Sequence, residues 1–297
     1  MIRMMLSILL CVLALGVGAE EAAQTPRKKL VVCSTTQVAD FARQVAGDHL
    51  KVQCILAPGA DPHLYEPKPG DARMVQQCDL VLQNGLGLEG KNWMATLAQD
   101  AAKPVVTLTD GIKPLKLEEA GAAHDDPHAW FTPANAAVYV RNTLAALSKL
   151  EPAHAAAFEA RAQLYLQQLR VLDGWIKEQV NLVPKEQRIL VTSHDAFNYF
   201  AQEYGFKNEA PAGWSTEGEI TPDARQRVVR SISGFNVKAI FVETSVNPKV
   251  IEDIAREAGV KKGGELYSDS MGAAGTAGET YIGMMRENVL TIVNALK

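Results

Sequence analysis

The stretch AHAAAFEARAQLYLQQLRVLDGWIKEQVNLV, residues 153–183, lies between Pro152 and Pro184 near the middle of a 297-residue chain. It contains no proline and one glycine, Gly174. Apolar or aromatic side chains recur at Phe158, Ala162, Tyr165, Leu169, Leu172, Ile176, Val180 and Val183 in steps of four and three, the spacing of one continuous helical face. The predicted helix runs about 45 Å, longer than an ordinary domain helix needs to be. A coiled coil would continue its heptads further and carry more charge at their flanks. The stretch therefore reads as a rigid strut packed along the rest of the molecule.

Outward from the strut, short apolar runs alternate with amphipathic segments on both sides. Before it, strands are predicted at 30–34, 51–56, 79–83 and 105–108, each followed by a helical pattern, the last at 133–150. After it the alternation resumes, with strands at 188–191, near Phe206, at 239–242 and at 264–267. Unbroken apolar strands alternating with helices imply parallel sheets covered on both faces. The expected fold is α/β: two lobes, each with a mostly parallel four-stranded sheet flanked by helices, bridged by the long helix. The expected boundaries are a signal peptide at 1–19, a linker at 20–29, a first lobe at 30–151, the bridging helix at 152–184 and a second lobe at 185–297.

A net charge of −4 and a pI near 5.9, with no long basic run, argue against nucleic acid or an anionic membrane surface as partner. Met1 to Ala19 has Arg3, an apolar centre from Met4 to Val17 and small residues ending at Ala19, the pattern of a cleaved export signal. Residues Ile8-Leu9-Leu10 before Cys11 lack the small side chains that lipid-linked processing prefers, so a periplasmic, secreted protein is expected in preference to a lipoprotein. The mature chain keeps Cys33, Cys54 and Cys78, which permits at most one internal disulfide. Their wide spacing does not suit a cysteine-based zinc site; they read as buried small hydrophobes, with one bridge possible.

In doubly wound sheets ligands bind beyond the carboxyl ends of the strands. Four loops at those ends carry distinctive residues: Asp61-Pro62-His63, Asp126-Pro127-His128, Ser193-His194-Asp195 and Ser268-Asp269-Ser270. Three imidazoles and a carboxylate are the donors a divalent transition metal uses, and four of them complete a roughly tetrahedral shell. His63, His128, His194 and Asp269 are therefore the expected metal ligands. His49 and His154 have no such setting, and His124, in the acidic stretch His124-Asp125-Asp126, reads as part of a solvated loop. Support behind the imidazoles is expected from loop carboxylates or carbonyls. Asp126 and Asp195 are candidates by nearness in sequence, which does not say where they point; Glu243 also reaches the rim, and none of the three is expected as a ligand.

The pieces GADPHLYEP, DPHAWFTPANA, VTSHDAFNYFAQEYG, KAIFVETSVNP and LYSDSMG, in this order, resemble the metal-specific solute-binding proteins of ABC importers, the zinc and manganese receptors. The resemblance runs from about Leu30 to the C-terminus. It implies two α/β lobes joined by one long helix, a metal in the cleft between them, the same four ligands, no enzymatic activity, and an ABC permease as partner to a monomeric receptor. Three imidazoles with one carboxylate favour Zn2+ as the transported ligand, with Mn2+ as the alternative. The segment Trp214-Ser215-Thr216-Glu217 and the ending LYSDSMG resemble the manganese and iron branch, and the short stretch 113–126, with only His124, departs from the long histidine-rich loop of zinc-dedicated members. A secreted zinc hydrolase is the reading from another class. It would need an open coordination position and a general base, and the HExxH motif is absent. A surface adhesin would need an anchor. For release, Asp269 beside the glycine-rich run 272–278 is the expected mobile ligand. Affinity is expected to fall below about pH 6, near the ordinary histidine pKa.

Overall fold

A computed structural model describes residues 27–119 and 122–297. The expected signal peptide and residues 20–26 of the linker lie outside the described residues. The first half runs β1 (Leu30–Cys33), α1 (Thr36–Ala46), β2 (Lys51–Cys54), α2 (Pro69–Gln77), β3 (Leu80–Gln83), α3 (Trp93–Asp100) and β4 (Val105–Thr107). A hairpin follows, β5 (Lys116–Glu119) with β6 (Ala122–Asp125), and then α4 (Pro133–Leu150) and α5 (Ala155–Val180). The second half runs β7 (Ile189–Val191), α6 (Asn198–Tyr204), β8 (Lys207–Glu209), α7 (Pro222–Gly234), β9 (Ala239–Glu243), α8 (Lys249–Ala258), β10 (Lys261–Leu266) and α9 (Tyr281–Leu296).

The first half holds a four-stranded parallel sheet in the order β2-β1-β3-β4. Its central strand, LVVC, is buried at every position because helices cover both faces. The second half departs from the expected single four-stranded sheet: β9 pairs with β10 and β7 with β8, each in parallel. Two causes are local. Strands β7 and β8 are only three residues long, and β10 shifts register between Lys262 and Gly264. At Gly263 an added Cβ would lie 2.7 Å from the Phe241 ring, so the strand bends where only glycine lets it approach β9. The hairpin β5–β6 stands where a plain loop was expected. Its antiparallel register pairs Lys116 with Asp125, and their side chains form an ion pair.

Helix starts follow simple chemistry. Thr35, Thr132, Thr221 and Thr280 each turn a hydroxyl to a backbone N–H of the first turn of α1, α4, α7 and α9. Pro133 and Pro222 occupy the first helical position, where a missing N–H costs nothing.

The long helix is α5, 26 residues and so about 39 Å, entered through a single turn at Pro152–His154. Its buried side chains are those of the predicted stripe from Phe158 to Val180, with Leu166 added. They pack on α1, α4 and α9. One continuous apolar core follows, running from Val31 and Phe41 through Tyr139, Phe158 and Leu172 to Leu190, Tyr281 and Val289. Tyr281 stitches the halves further. Its hydroxyl donates to the Trp130 carbonyl at 2.7 Å, and its backbone N–H donates to Asp40 Oδ2 at 3.0 Å. Smaller clusters fill the other face of each layer.

Gly174 lies on α5 with nothing within 4 Å of an added Cβ. Gly174→Ala is expected to stabilise the protein by up to about 1 kcal/mol in urea unfolding. Destabilisation by this substitution would mean that the helix needs to bend there.

Candidate metal centre

Each expected ligand leaves the carboxyl end of a strand. His63 is in the loop after β2, His194 lies three residues beyond β7, Asp269 three beyond β10, and His128 follows the hairpin just before α4. The structure brings all four together from both halves of the chain. One donor atom from each lies within 4.8 Å of the others, and all four residues are buried. First-row cations bind such donors at about 2.0–2.3 Å, so one ion spans the group.

The carboxylate of Asp269 is the centre of the arrangement. Its Oδ1 faces His128 Nε2 at 3.2 Å, and its Oδ2 faces His194 Nε2 at 3.2 Å and His63 Nε2 at 3.7 Å. These Nε2 atoms and both carboxylate oxygens have no hydrogen-bond partner among the described residues. A polar atom buried without a partner costs about 1–3 kcal/mol, more when charged. Five such atoms converging on one point fit a cation bound by them all.

The imidazoles are held from behind to different degrees. Asp126 Oδ1 lies 2.8 Å from His128 Nδ1 and also accepts the His128 backbone N–H, while Asn198 from the second half donates to its other oxygen at 3.2 Å. Glu243, the last residue of β9, accepts the backbone N–H groups of Ser193 and His194 at 2.7 and 3.0 Å. Its Oε2 stands 2.6 Å from His194 Nδ1, off the ideal hydrogen-bond line, so it anchors the ring mainly by charge. Both contacts leave Nε2 free to face the centre, the usual arrangement behind a ligating imidazole. Among the described residues His63 has no such carboxylate behind its ring; Asp61 accepts only its backbone N–H, at 2.8 Å.

Protonation follows from these surroundings. Burial holds His63 down to about 3, so its ring is neutral. Burial also pulls on His128 and His194, but there the carboxylates win. Asp126 and Asp269 raise His128 to about 8, and Glu243 and Asp269 raise His194 well above its ordinary value. Burial pushes Asp269 up, yet the imidazoles of His194 and His128 hold its carboxyl well below the usual range. An anionic carboxylate thus faces two rings that carry protons at neutral pH.

Of the three expected supporting residues, Asp126 and Glu243 take that role. Asp195 turns away toward Asn208, 3.3 Å distant, and burial lifts its carboxyl to about 7. Sequence reasoning missed Glu89, buried beside β1 and β3, which accepts from Ser34 Oγ and from the backbone N–H groups of Asn84 and Gly85. Asn84 in turn donates to the Pro127 carbonyl at 3.0 Å and so fixes the turn that presents His128. A buried glutamate inside the loop 84–92 has no periodic signal that would reveal it.

The glycine run after Asp269 serves packing. Added Cβ atoms at Gly272 and Gly278 would fall 2.4 Å from Thr276 Oγ1 and 2.5 Å from the Tyr267 ring, and Gly272 N–H donates to the Gly278 carbonyl at 2.8 Å. Gly272 and Gly278 therefore mark close approach, against the expectation that the run loosens the loop. The three thiols are free: Cys33 and Cys78 are buried, and burial raises all three, Cys54 to about 12, which leaves them unreactive.

Residues 31–295 match the family described as "Zinc-uptake complex component A periplasmic". The chain is 39% identical to the manganese-binding lipoprotein MntA of Bacillus subtilis over 302 aligned residues, covering 99% of both chains. It is 31% identical to the metal ABC transporter substrate-binding lipoprotein SloC of Streptococcus mutans, again over 99% of both. The solved structure of the periplasmic zinc-binding protein TroA from Treponema pallidum superposes with a TM-score of 0.85 at 37% identity, covering 91% of this chain and 99% of that one. These findings support a location outside the cytoplasm and correct the preference for an unlipidated protein. That preference rested on three side chains before Cys11, whereas both of these relatives, aligned over 99% of the chain, are named lipoproteins.

Proposed function

Because the chain belongs to the zinc-uptake component A family of metal-specific periplasmic receptors of ABC importers, which are not enzymes, we propose that it captures a divalent cation at His63, His128, His194 and Asp269 and passes it to a membrane permease, with manganese as the cargo. The observation that carries the proposal is the buried convergence of four donors, orphaned of protein partners, from both halves of the chain. The functional units are residues 30–151 and 185–297, each supplying two ligands, with 152–184 setting their separation. On this reading the pairs β7–β8 and β9–β10 act as one layer, since β7 lies beside β9. Cys11 is the residue through which a lipid would tether the receptor near its permease.

Two things favour manganese over the zinc expected from donor softness. The relative matched at 39% identity over 99% of both chains is named for manganese. Asp269 turns both oxygens toward the imidazoles, which offers five donors; structural zinc is almost always four-coordinate, and manganese accepts higher coordination with more oxygen. Zinc stands as the second reading because three imidazoles suit it and because TroA is named for it. Bench affinity alone does not separate them, since zinc outranks manganese at most nitrogen and oxygen sites. The deciding measurement is the metal content of protein taken from its native compartment under equal supply of both. Manganese is expected in excess; zinc alone would overturn the assignment.

Uptake is also expected to release protons. His128 and His194 have raised pKa values, so each keeps a proton below its own pKa and yields it when a cation takes Nε2. Affinity therefore climbs as pH rises toward about 8 and declines below it, a higher window than ordinary histidines set. Titration calorimetry at pH 7 in buffers of different ionisation enthalpy reads this directly. Heats independent of buffer would show that no proton leaves.

A further inference from the structure

The two halves of the site are joined above the ligands by a segment that the functional reading leaves without a role. Residues 212–217 follow β8, and at one end they are bonded to the turn that carries His194: Asp195 N–H donates to the Gly213 carbonyl at 3.0 Å, and Ala212 N–H to the Ser193 carbonyl at 3.4 Å. At the other end they cross to the first half. Thr216 Oγ1 donates to Asp61 Oδ2 at 2.6 Å, and the other oxygen of that carboxylate holds the His63 backbone N–H. Between these anchors the Trp214 indole stands edge-on to the His63 ring at 6.0 Å and stacks on His124 of the hairpin at 5.3 Å. It also covers Gly87, where an added Cβ would touch the ring at 3.7 Å.

We infer that residues 212–217 form a clasp that must open for the cation to enter or leave, with Thr216, Asp61 and Trp214 as the positioning residues that set the rate of exchange. The inference rests on the metal-receptor reading above. Two observations select this segment over the one around Asp269. First, the Asp269 segment is pinned to the first half on both sides. Gln37 Nε2 donates to the Ser268 carbonyl at 3.1 Å, Gly59 N–H to Ser270 Oγ at 2.7 Å and Met271 N–H to Thr36 Oγ1 at 2.9 Å, all beside residues packed to contact. Second, the clasp has room to move. A cavity of about 360 Å3 lies against it, lined by Leu117 and Glu118 of the hairpin and by Asp195, Glu219 and Arg227 of the second half. The clasp crosses to the first half by one hydrogen bond to a carboxylate and the Trp214 contacts, with space beside it, against three hydrogen bonds that pin the Asp269 segment.

The test is stopped-flow capture and chelator-driven release of Mn2+ and Zn2+ by the full protein, comparing wild type with Thr216→Val, Thr216→Ser and Trp214→Ala. Loss of one charge-assisted hydrogen bond in a gate is expected to speed capture and release together by about tenfold in Thr216→Val. Equilibrium affinity should change little, and Thr216→Ser, which keeps the hydroxyl, should return both rates to the wild-type range. Trp214→Ala should accelerate exchange at least as much. Unchanged rates in both Thr216→Val and Trp214→Ala overturn the clasp, as does weakened affinity without faster capture, which would place these residues in ligand support alone. A wild-type protein that holds neither metal stoichiometrically would overturn the receptor reading itself and the clasp with it.

Discussion

Replacing Asp269 with alanine is expected to abolish stoichiometric binding of both manganese and zinc. Asp269 is the sole anion among the four donors, buried to 1% exposure, and both of its oxygens face the imidazoles. Removing it leaves three neutral nitrogens to hold a doubly charged ion in a medium of low dielectric, where unbalanced charge is most costly. Outer partners of metal ligands are typically worth about 10–100-fold in affinity, and a direct anionic ligand should exceed that. Asp269→Asn separates charge from shape, since it keeps the volume and one acceptor oxygen while losing the charge. Both variants should fail in competition against a chromophoric chelator while their circular dichroism stays native. Undiminished affinity in Asp269→Asn would show that the ion is held somewhere other than this cluster.

The second large effect is expected at Glu243, which is not a donor to the metal. Its side chain is 2% exposed and accepts two backbone N–H groups from the turn that presents His194. Glu243→Ala leaves both groups and the His194 ring unpartnered, a loss of roughly 2–5 kcal/mol in folding stability. It should also weaken metal binding by about 10–100-fold, the range seen when a support behind a ligating imidazole is removed. Glu243→Gln distinguishes the two contributions. Its amide oxygen still accepts the backbone groups, so much of the stability returns, while the missing charge beside Nδ1 leaves the affinity low. Thermal unfolding and metal titration measured on the same two variants test this. If both properties recovered together in Glu243→Gln, the carboxylate would be acting through the backbone alone.

The four side chains that converge at the candidate site were legible in the sequence because their signals are local. A repeated Asp-Pro-His and a polar turn directly after an apolar run need no knowledge of the fold beyond strand and helix. The long helix was legible for a similar reason: two prolines bracket one uninterrupted stripe. What the sequence hid depends on partners far apart in the chain. Thr216 meets Asp61 across 155 positions and Glu243 meets Ser193 across 50, and neither pairing leaves a trace in spacing. The hairpin β5–β6 was hidden because its strands, KLEE and AAHD, lack β-branched residues and are held by register and an ion pair. The glycine run after Asp269 was misread because glycine permits both mobility and close contact. Only the positions of Thr276 and Tyr267 decide between them. In the second half, three-residue strands and a register shift break the sheet that an idealised alternation predicts.

The continuous core running under both halves has a thermodynamic consequence. A chain whose lobes share one apolar interior has no half-unfolded state in which one lobe survives alone, so it should melt as a single cooperative unit. A cation bound only by the folded form then protects every residue by mass action, in proportion to the logarithm of its concentration over Kd. Cargo and longevity become linked: an unloaded receptor opens globally more often than a loaded one, and a protease sampling the cell envelope meets mostly empty molecules. The abundance of such a receptor would thereby follow the supply of its metal without any dedicated sensor.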